Sequence, residues 1–139
     1  MDITLRFDAS TLREKLKALA NDKSVIDKTY EKIGEKLLND FNSNIDNSKD
    51  INGNALTPNA PSTIRRKKSS KPLIDTGELR RSGGYYKRSG ALIVTYHCKG
   101  VKFNNFGTTT LPRRKFFGLN KQQKKDISNI FVEEAKRNL

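Results

Sequence analysis

Leu73-Ile74-Asp75-Thr76-Gly77-Glu78-Leu79-Arg80-Arg81-Ser82 is the stretch around which the chain is organised. Leu73 and Ile74 are an adjacent pair of large aliphatic residues after a long polar run. Asp75 or Thr76 offers a side-chain oxygen to the free N–H groups of a first helical turn. Glu78 stands three residues after Asp75, the spacing of a capping box with Asp in the first position. Gly77 lets the backbone turn without a Cβ clash. Leu79 is expected to point back towards Leu73 and Ile74, with Arg80 and Arg81 outward. The stretch therefore predicts a short helix pinned at its start, joining a loop to a sheet.

Working outward towards the N-terminus, the run from Asp46 to Pro72 is polar and loop-like, with a turn at Asn52-Gly53-Asn54 and two prolines, Pro58 and Pro61, that exclude a long helix. A short helix through Ile64 to Lys68 is possible within it, ending in the basic run Arg65-Arg66-Lys67-Lys68-Ser69-Ser70-Lys71. Before this run, Ile26, Tyr30, Ile33, Leu37, Phe41 and Ile45 recur every three or four residues and predict an amphipathic helix from about Val25 to about Ile45. Glu31 and Glu35 on its other face interleave with Lys28, Lys32 and Lys36, which marks a solvated charged face and not a pair of acid/base carboxylates. Thr11 and Glu14 have capping-box spacing ahead of Leu12, Leu16 and Leu19, so a first helix is expected over Thr11–Ala20. Ile3, Leu5 and Phe7 alternate with Thr4 and Arg6, the period of a short strand.

Downstream, Tyr85-Tyr86-Lys87-Arg88, the turn Ser89-Gly90, and Ala91-Leu92-Ile93-Val94-Thr95-Tyr96-His97-Cys98 read as a β-hairpin. Val101, Phe103 and Phe106 form an apolar group ending at Gly107, and Thr108-Thr109-Thr110 is a loop. In Leu111-Pro112-Arg113-Arg114-Lys115-Phe116-Phe117-Gly118-Leu119, Pro112 stiffens the segment and Phe116 and Phe117 are expected in the core. Gly118 permits the turn into a closing helix from about Lys121 to about Asn138, capped by Asn120. These patterns together predict an α+β fold: a small antiparallel sheet packed against the long helix and the C-terminal helix, with a long extended loop over 46–72. A length of 139 residues suits one domain, 1–139.

The chain is basic, with 28 Lys and Arg against 15 Asp and Glu and a formal net charge of +13. Such a balance favours polyanions or acidic protein faces as partners. Hydrophobic residues are 34% and mean hydropathy is −0.76, a lean core that neighbours could complete. Cys98 is the one cysteine, so no internal disulfide forms. The opening Met1-Asp2-Ile3-Thr4-Leu5-Arg6-Phe7 lacks the charged start and apolar run of a signal peptide, and no apolar run could span a bilayer. A soluble protein made in the cytoplasm, without membrane association, is expected. His97 and Cys98 are neighbours on a strand and point to opposite faces, a poor nucleophile pair. No metal-ligand cluster, phosphate-cradling glycine loop or nucleophile triad stands in the sequence, so neither an enzyme nor a cofactor is expected. Few aromatics interleave with the basic run, which argues against a stacking platform there.

Taken together, Asn52–Pro58, Thr63–Lys68, Leu73–Ser82, Phe106-Gly107 and Leu111–Leu119 with the closing helix resemble the phage virion-morphogenesis family, also called tail-completion proteins. The resemblance covers roughly the last two-thirds of the chain and rests most on the Ile-Asp-Thr-Gly-x-Leu-Arg core and its spacing to the later motifs. It assigns a structural-motif role to Leu73, Ile74, Asp75, Thr76, Gly77, Leu79, Phe106, Gly107, Pro112, Phe116 and Gly118. It implies a virion protein of a tailed phage, assembled in the host cytoplasm. Its copies would form a homo-oligomeric ring, six-fold by resemblance, at the head–tail junction or the upper end of the tail. Expected partners are further copies of itself, neighbouring neck and tail proteins, and double-stranded DNA passing through the channel. Arg65, Arg66, Lys67, Lys68, Arg80, Arg81, Arg113 and Arg114 are the candidate contacts to subunits or DNA. For Arg65–Lys68 protein contact is favoured, because a channel that DNA must leave quickly is poorly served by strong phosphate binding. The alternative reading, from charge, is a basic nucleic-acid-binding protein.

Overall fold

The alternation of Ile3, Leu5 and Phe7 becomes strand β1 (Asp2–Phe7) in a computed structural model that describes residues 2–8, 23–67, 71–74 and 77–137. The expected first helix over Thr11–Ala20 lies outside the described residues, as do Asp75, Thr76 and Lys68. The period-two run after the glycine pair forms a hairpin of β2 (Gly84–Arg88) and β3 (Ala91–His97). Its two-residue turn is Ser89 (φ 52) and Gly90 (φ 75), the paired positive φ angles that match strand twist. β3 is central in a three-stranded antiparallel sheet of order β1-β3-β2, with Ile3 opposite Tyr96 and Tyr85 opposite Val94.

The long periodic stretch is helix α1 (Lys23–Asn47), and every residue of its predicted apolar face, from Ile26 to Ile45, is buried. It lies on the sheet face carrying Leu92, Val94 and Tyr96. The Tyr30 hydroxyl donates to Gly90 O at 2.9 Å, tying the helix to the hairpin turn. The opposite face of α1 bonds to other elements. Lys87 of β2 meets Asp27 and Glu31, while Lys32 and Lys36 reach Glu134 and Asp126 of the closing helix.

Three shorter helices follow: α2 (Pro61–Lys67), α3 (Glu78–Arg81) and α4 (Val101–Phe106). The closing helix α5 (Lys121–Arg137) packs along α1 and buries Ile127 and Phe131. Its start is a reciprocal cap. Gln123 N donates to Asn120 Oδ1 at 2.7 Å, and Asn120 N donates to Gln123 Oε1 at 3.1 Å, so two orphan donors of the first turn are satisfied. The architecture is α+β. Among the described residues no helix is long and apolar enough to cross a membrane.

The organising stretch is built differently from its sequence reading. α3 begins at Glu78, and its N-cap is Gly77 in left-handed backbone (φ 81), so Glu78 opens the helix and does not occupy the third position of a box begun at Asp75. A left-handed N-cap suits glycine, which alone carries no Cβ penalty there. The packing prediction holds: Leu73 is buried, and Ile74 and Leu79 pack against the same core. Ser82 closes the short helix by donating its hydroxyl to Leu79 O at 2.7 Å.

Candidate functional site

The polar run and the Leu111–Leu119 segment, far apart in sequence, are bonded into one block. Asp50 turns the chain first: its Oδ1 accepts from Asn52 N at 2.8 Å and Asn54 N at 2.9 Å, and Gly53 takes φ +83. Lys49 then bridges to Ala55, and Leu56 enters the core. From the other side, Ile51 N donates to Lys115 O at 2.9 Å, and Asn120 Nδ2 donates to Ile51 O at 2.7 Å. Much of the stretch expected as an extended loop is thus fixed on its own chain.

Arg114 is the main strut of this block. Its Nε donates to Thr57 O at 2.9 Å and its Nη2 to Pro58 O at 3.0 Å, while its own N–H reaches Asn104 O at 2.7 Å. The side chain is only 6% exposed. Desolvation pulls its pKa below the ordinary arginine value, yet a guanidinium stays charged at any physiological pH. Arg114 therefore leaves the group of candidate contacts. The sequence could not separate it from Arg113, which is exposed beside it.

Helix α4 is the other side of the block. Its Asn105 is fully buried and clasps one peptide of the Phe motif: Nδ2 donates to Phe117 O at 3.2 Å, and Phe117 N donates to Oδ1 at 3.1 Å. This closed pair does for Phe117 what a neighbouring strand would do. Phe116 and Phe117 are buried as predicted, with Phe116 edge-to-face on Tyr96 at 5.3 Å and Phe117 at 4.7 Å from Phe41. The Tyr96 hydroxyl donates to Asn42 Oδ1 at 2.7 Å, and burial pushes its pKa up. Gly107 (φ +75) ends α4 where a Cβ would stand 3.1 Å from Arg113 N. The Phe-Gly motif needs its glycine for this backbone crossing. Gly118 (φ +147) makes the last bend before Asn120.

The surface of the block is partly apolar. Phe106, grouped by sequence with Val101 and Phe103 as apolar, is 56% exposed, and Phe103 is 46% exposed. The helix explains the split: Val101 and Asn105 lie on one face of α4, Phe103 and Phe106 on the other. Leu111 and Pro112 are exposed and line an open cleft of about 530 Å³ shared with Pro58, Ala60, Thr63 and Asn104.

The remaining candidates divide. Arg65 is exposed on α2; Arg66 and Lys67 belong to the same helix, but the placement of their side chains lies outside the described residues. Arg80 and Arg81 are exposed on α3, and Arg80 Nε bonds Asp46 Oδ1 at 2.8 Å across to the end of α1. His97 is exposed at the end of β3, paired with Asp2, and burial pushes the Cys98 thiol up, away from a reactive thiolate. Among the described residues no group of three or more His, Cys, Asp and Glu could hold a metal ion.

Sequence reading missed α4 as a helix and Asn105 as a clasp. The one available signal was the spacing of Val101 and Asn105, four apart, with Lys102, Phe103 and Phe106 between and beyond. Comparison with protein-family models, with curated proteins and with solved structures gave no match.

Proposed function

We propose that this chain is a structural subunit of a tailed-phage virion, forming a homo-oligomeric ring at the head–tail junction or the upper end of the tail. The observation that carries the reading is the convergence of its motifs. The Asn52–Pro58 turn and the Leu111–Leu119 segment that resemble the tail-completion family are bonded to one another, and Gly107 of the Phe106-Gly107 pair packs against Arg113 in the same framework. Two further features support it. The core is lean, and Leu111 and Pro112 stand exposed on the framework where another chain could cover them. Head-to-tail contact of unlike surfaces closes into a ring when the rotation per subunit allows it. Arg65 and its basic neighbours would then meet an acidic adjoining protein or the DNA channel.

The test is size in solution followed by particle assembly. Sedimentation and electron microscopy of the purified chain are expected to show closed rings, six-fold by resemblance. Replacing Arg65, Arg66, Lys67 and Lys68 together by Ala is expected to abolish head–tail joining or tail completion in the host. A chain that stays monomeric at every concentration, with normal infectious particles from the fourfold variant, would remove the basis of the proposal.

A further inference from the structure

Charge is segregated along this chain. No Asp or Glu occurs between Asp50 and Asp75, nor between Glu78 and Asp126. The fold then packs parts of these two acid-free segments together, through Arg114 on Thr57 and Pro58 and Ile51 on Lys115. The joined segments are therefore rich in cations, with Asp50 at their margin lining one cleft with Arg113 and Lys115. Lys99, Lys102 and Arg113 are exposed there, and among the described residues none of them has a carboxylate partner. The ion pairs of α1 and α5, by contrast, mix both signs.

Phe103 and Phe106 stand among these cations. They share one face of α4 at a spacing of three, which places their Cβ atoms about 5–6 Å apart. Lys102 lies on the same helix, Lys99 just before it, and Arg113 alongside, held by the crossing at Gly107 and the bond from Arg114 N to Asn104 O. Exposed rings flanked by unpaired cations are the two components that hold a single strand, the rings stacking on bases and the cations tracking phosphates. Duplex DNA would use the cations and leave the rings idle, since its bases are already stacked. We propose that the α4 face, with Phe103, Phe106, Lys99, Lys102 and Arg113, binds single-stranded nucleic acid. The aromatics that the basic run lacks in sequence are supplied by a different segment. The site is read from the surface of one chain and holds whether or not the chain assembles into a ring.

The experiment is fluorescence anisotropy with a labelled oligo-dT of about 16 nucleotides, a duplex of the same length, and poly-glutamate as competitor. The purified full chain is expected to bind oligo-dT with an affinity that falls steeply with salt. Removing Lys99, Lys102 and Arg113 together should lower the salt slope by about 0.7 per cation. Phe103→Ala with Phe106→Ala should weaken oligo-dT roughly tenfold or more and leave duplex binding unchanged. Both rings are exposed, and a far-UV CD spectrum matching the parent confirms that the variant is folded. Oligo-dT affinity that ignores the two rings overturns the proposal, as does no binding at physiological salt. Poly-glutamate that displaces oligo-dT at equal charge would overturn it too, and would make the face one for an acidic protein.

Discussion

Replacing Arg114 by Ala separates a structural arginine from its exposed neighbour. The change removes two hydrogen bonds from a charged donor, to Thr57 O at 2.9 Å and Pro58 O at 3.0 Å. Bonds to charged groups contribute about 1.5–3 kcal/mol each. Thr57 and Pro58 are themselves exposed, so water recovers part of the loss at their carbonyls. A net cost of about 2–4 kcal/mol follows. Divided by a urea slope of about 2 kcal/mol per molar, this lowers the unfolding midpoint by about 1–2 M. Arg113→Ala, at an exposed position with no bond of this kind, should change stability by no more than about 0.5 kcal/mol. Arg114→Lys keeps the charge but not the planar fork that spans two carbonyls, so it should recover only part of the midpoint. Equal midpoints for the Arg113 and Arg114 alanine variants would refute the assignment of Arg114 as the strut.

Phe116→Ala and Phe117→Ala should each cost about 3–5 kcal/mol, because both rings are buried and packed edge-to-face on Tyr96; unchanged denaturation midpoints would show that they are not core. Acid should weaken the joint between α1 and α5. Lys32 first, and Arg137 and Lys28 after it, hold the Glu134 carboxyl below its ordinary range. A carboxylate with a depressed folded pKa contributes stability above its unfolded pKa, near 4.3, and loses it as pH falls through the folded value. Glu134→Gln should therefore flatten the acid side of the stability profile, and an acid limb identical to that of the parent would exclude this pair as its source.

The elements with strong periodicity were legible because their burial follows from period alone. Ile26 through Ile45 repeat at helical spacing, and a helix with that stripe has one way to bury it. Ile3, Leu5 and Phe7, and Ala91 to His97 with the Ser89-Gly90 turn, carry the strand period and the left-handed residues a tight hairpin needs. Asn120 was legible as a cap because a cap is a local bond between neighbours in sequence. The same local logic misplaced the start of α3, where Gly77 is the N-cap and the helix begins at Glu78.

Residues whose partners lie far along the chain could not be read this way. Arg113 and Arg114 are the same residue type side by side, and only the approach of Thr57 and Pro58 makes one a buried strut and leaves the other exposed. Asn105 looks like a loop asparagine until Phe117 arrives to be clasped. Phe103 and Phe106 carry the same apolar side chain as Phe116 and Phe117, yet α4 turns them outward because Val101 and Asn105 take its inner face. The sequence by itself determined the periodic elements, the turns and the absence of acid from two long segments, since each is a property of neighbouring residues. Tertiary structure alone decided that those segments pack together, which of their cations are spent on backbone carbonyls and which rings remain at the surface, because long-range hydrogen bonds and burial depend on what the fold brings alongside.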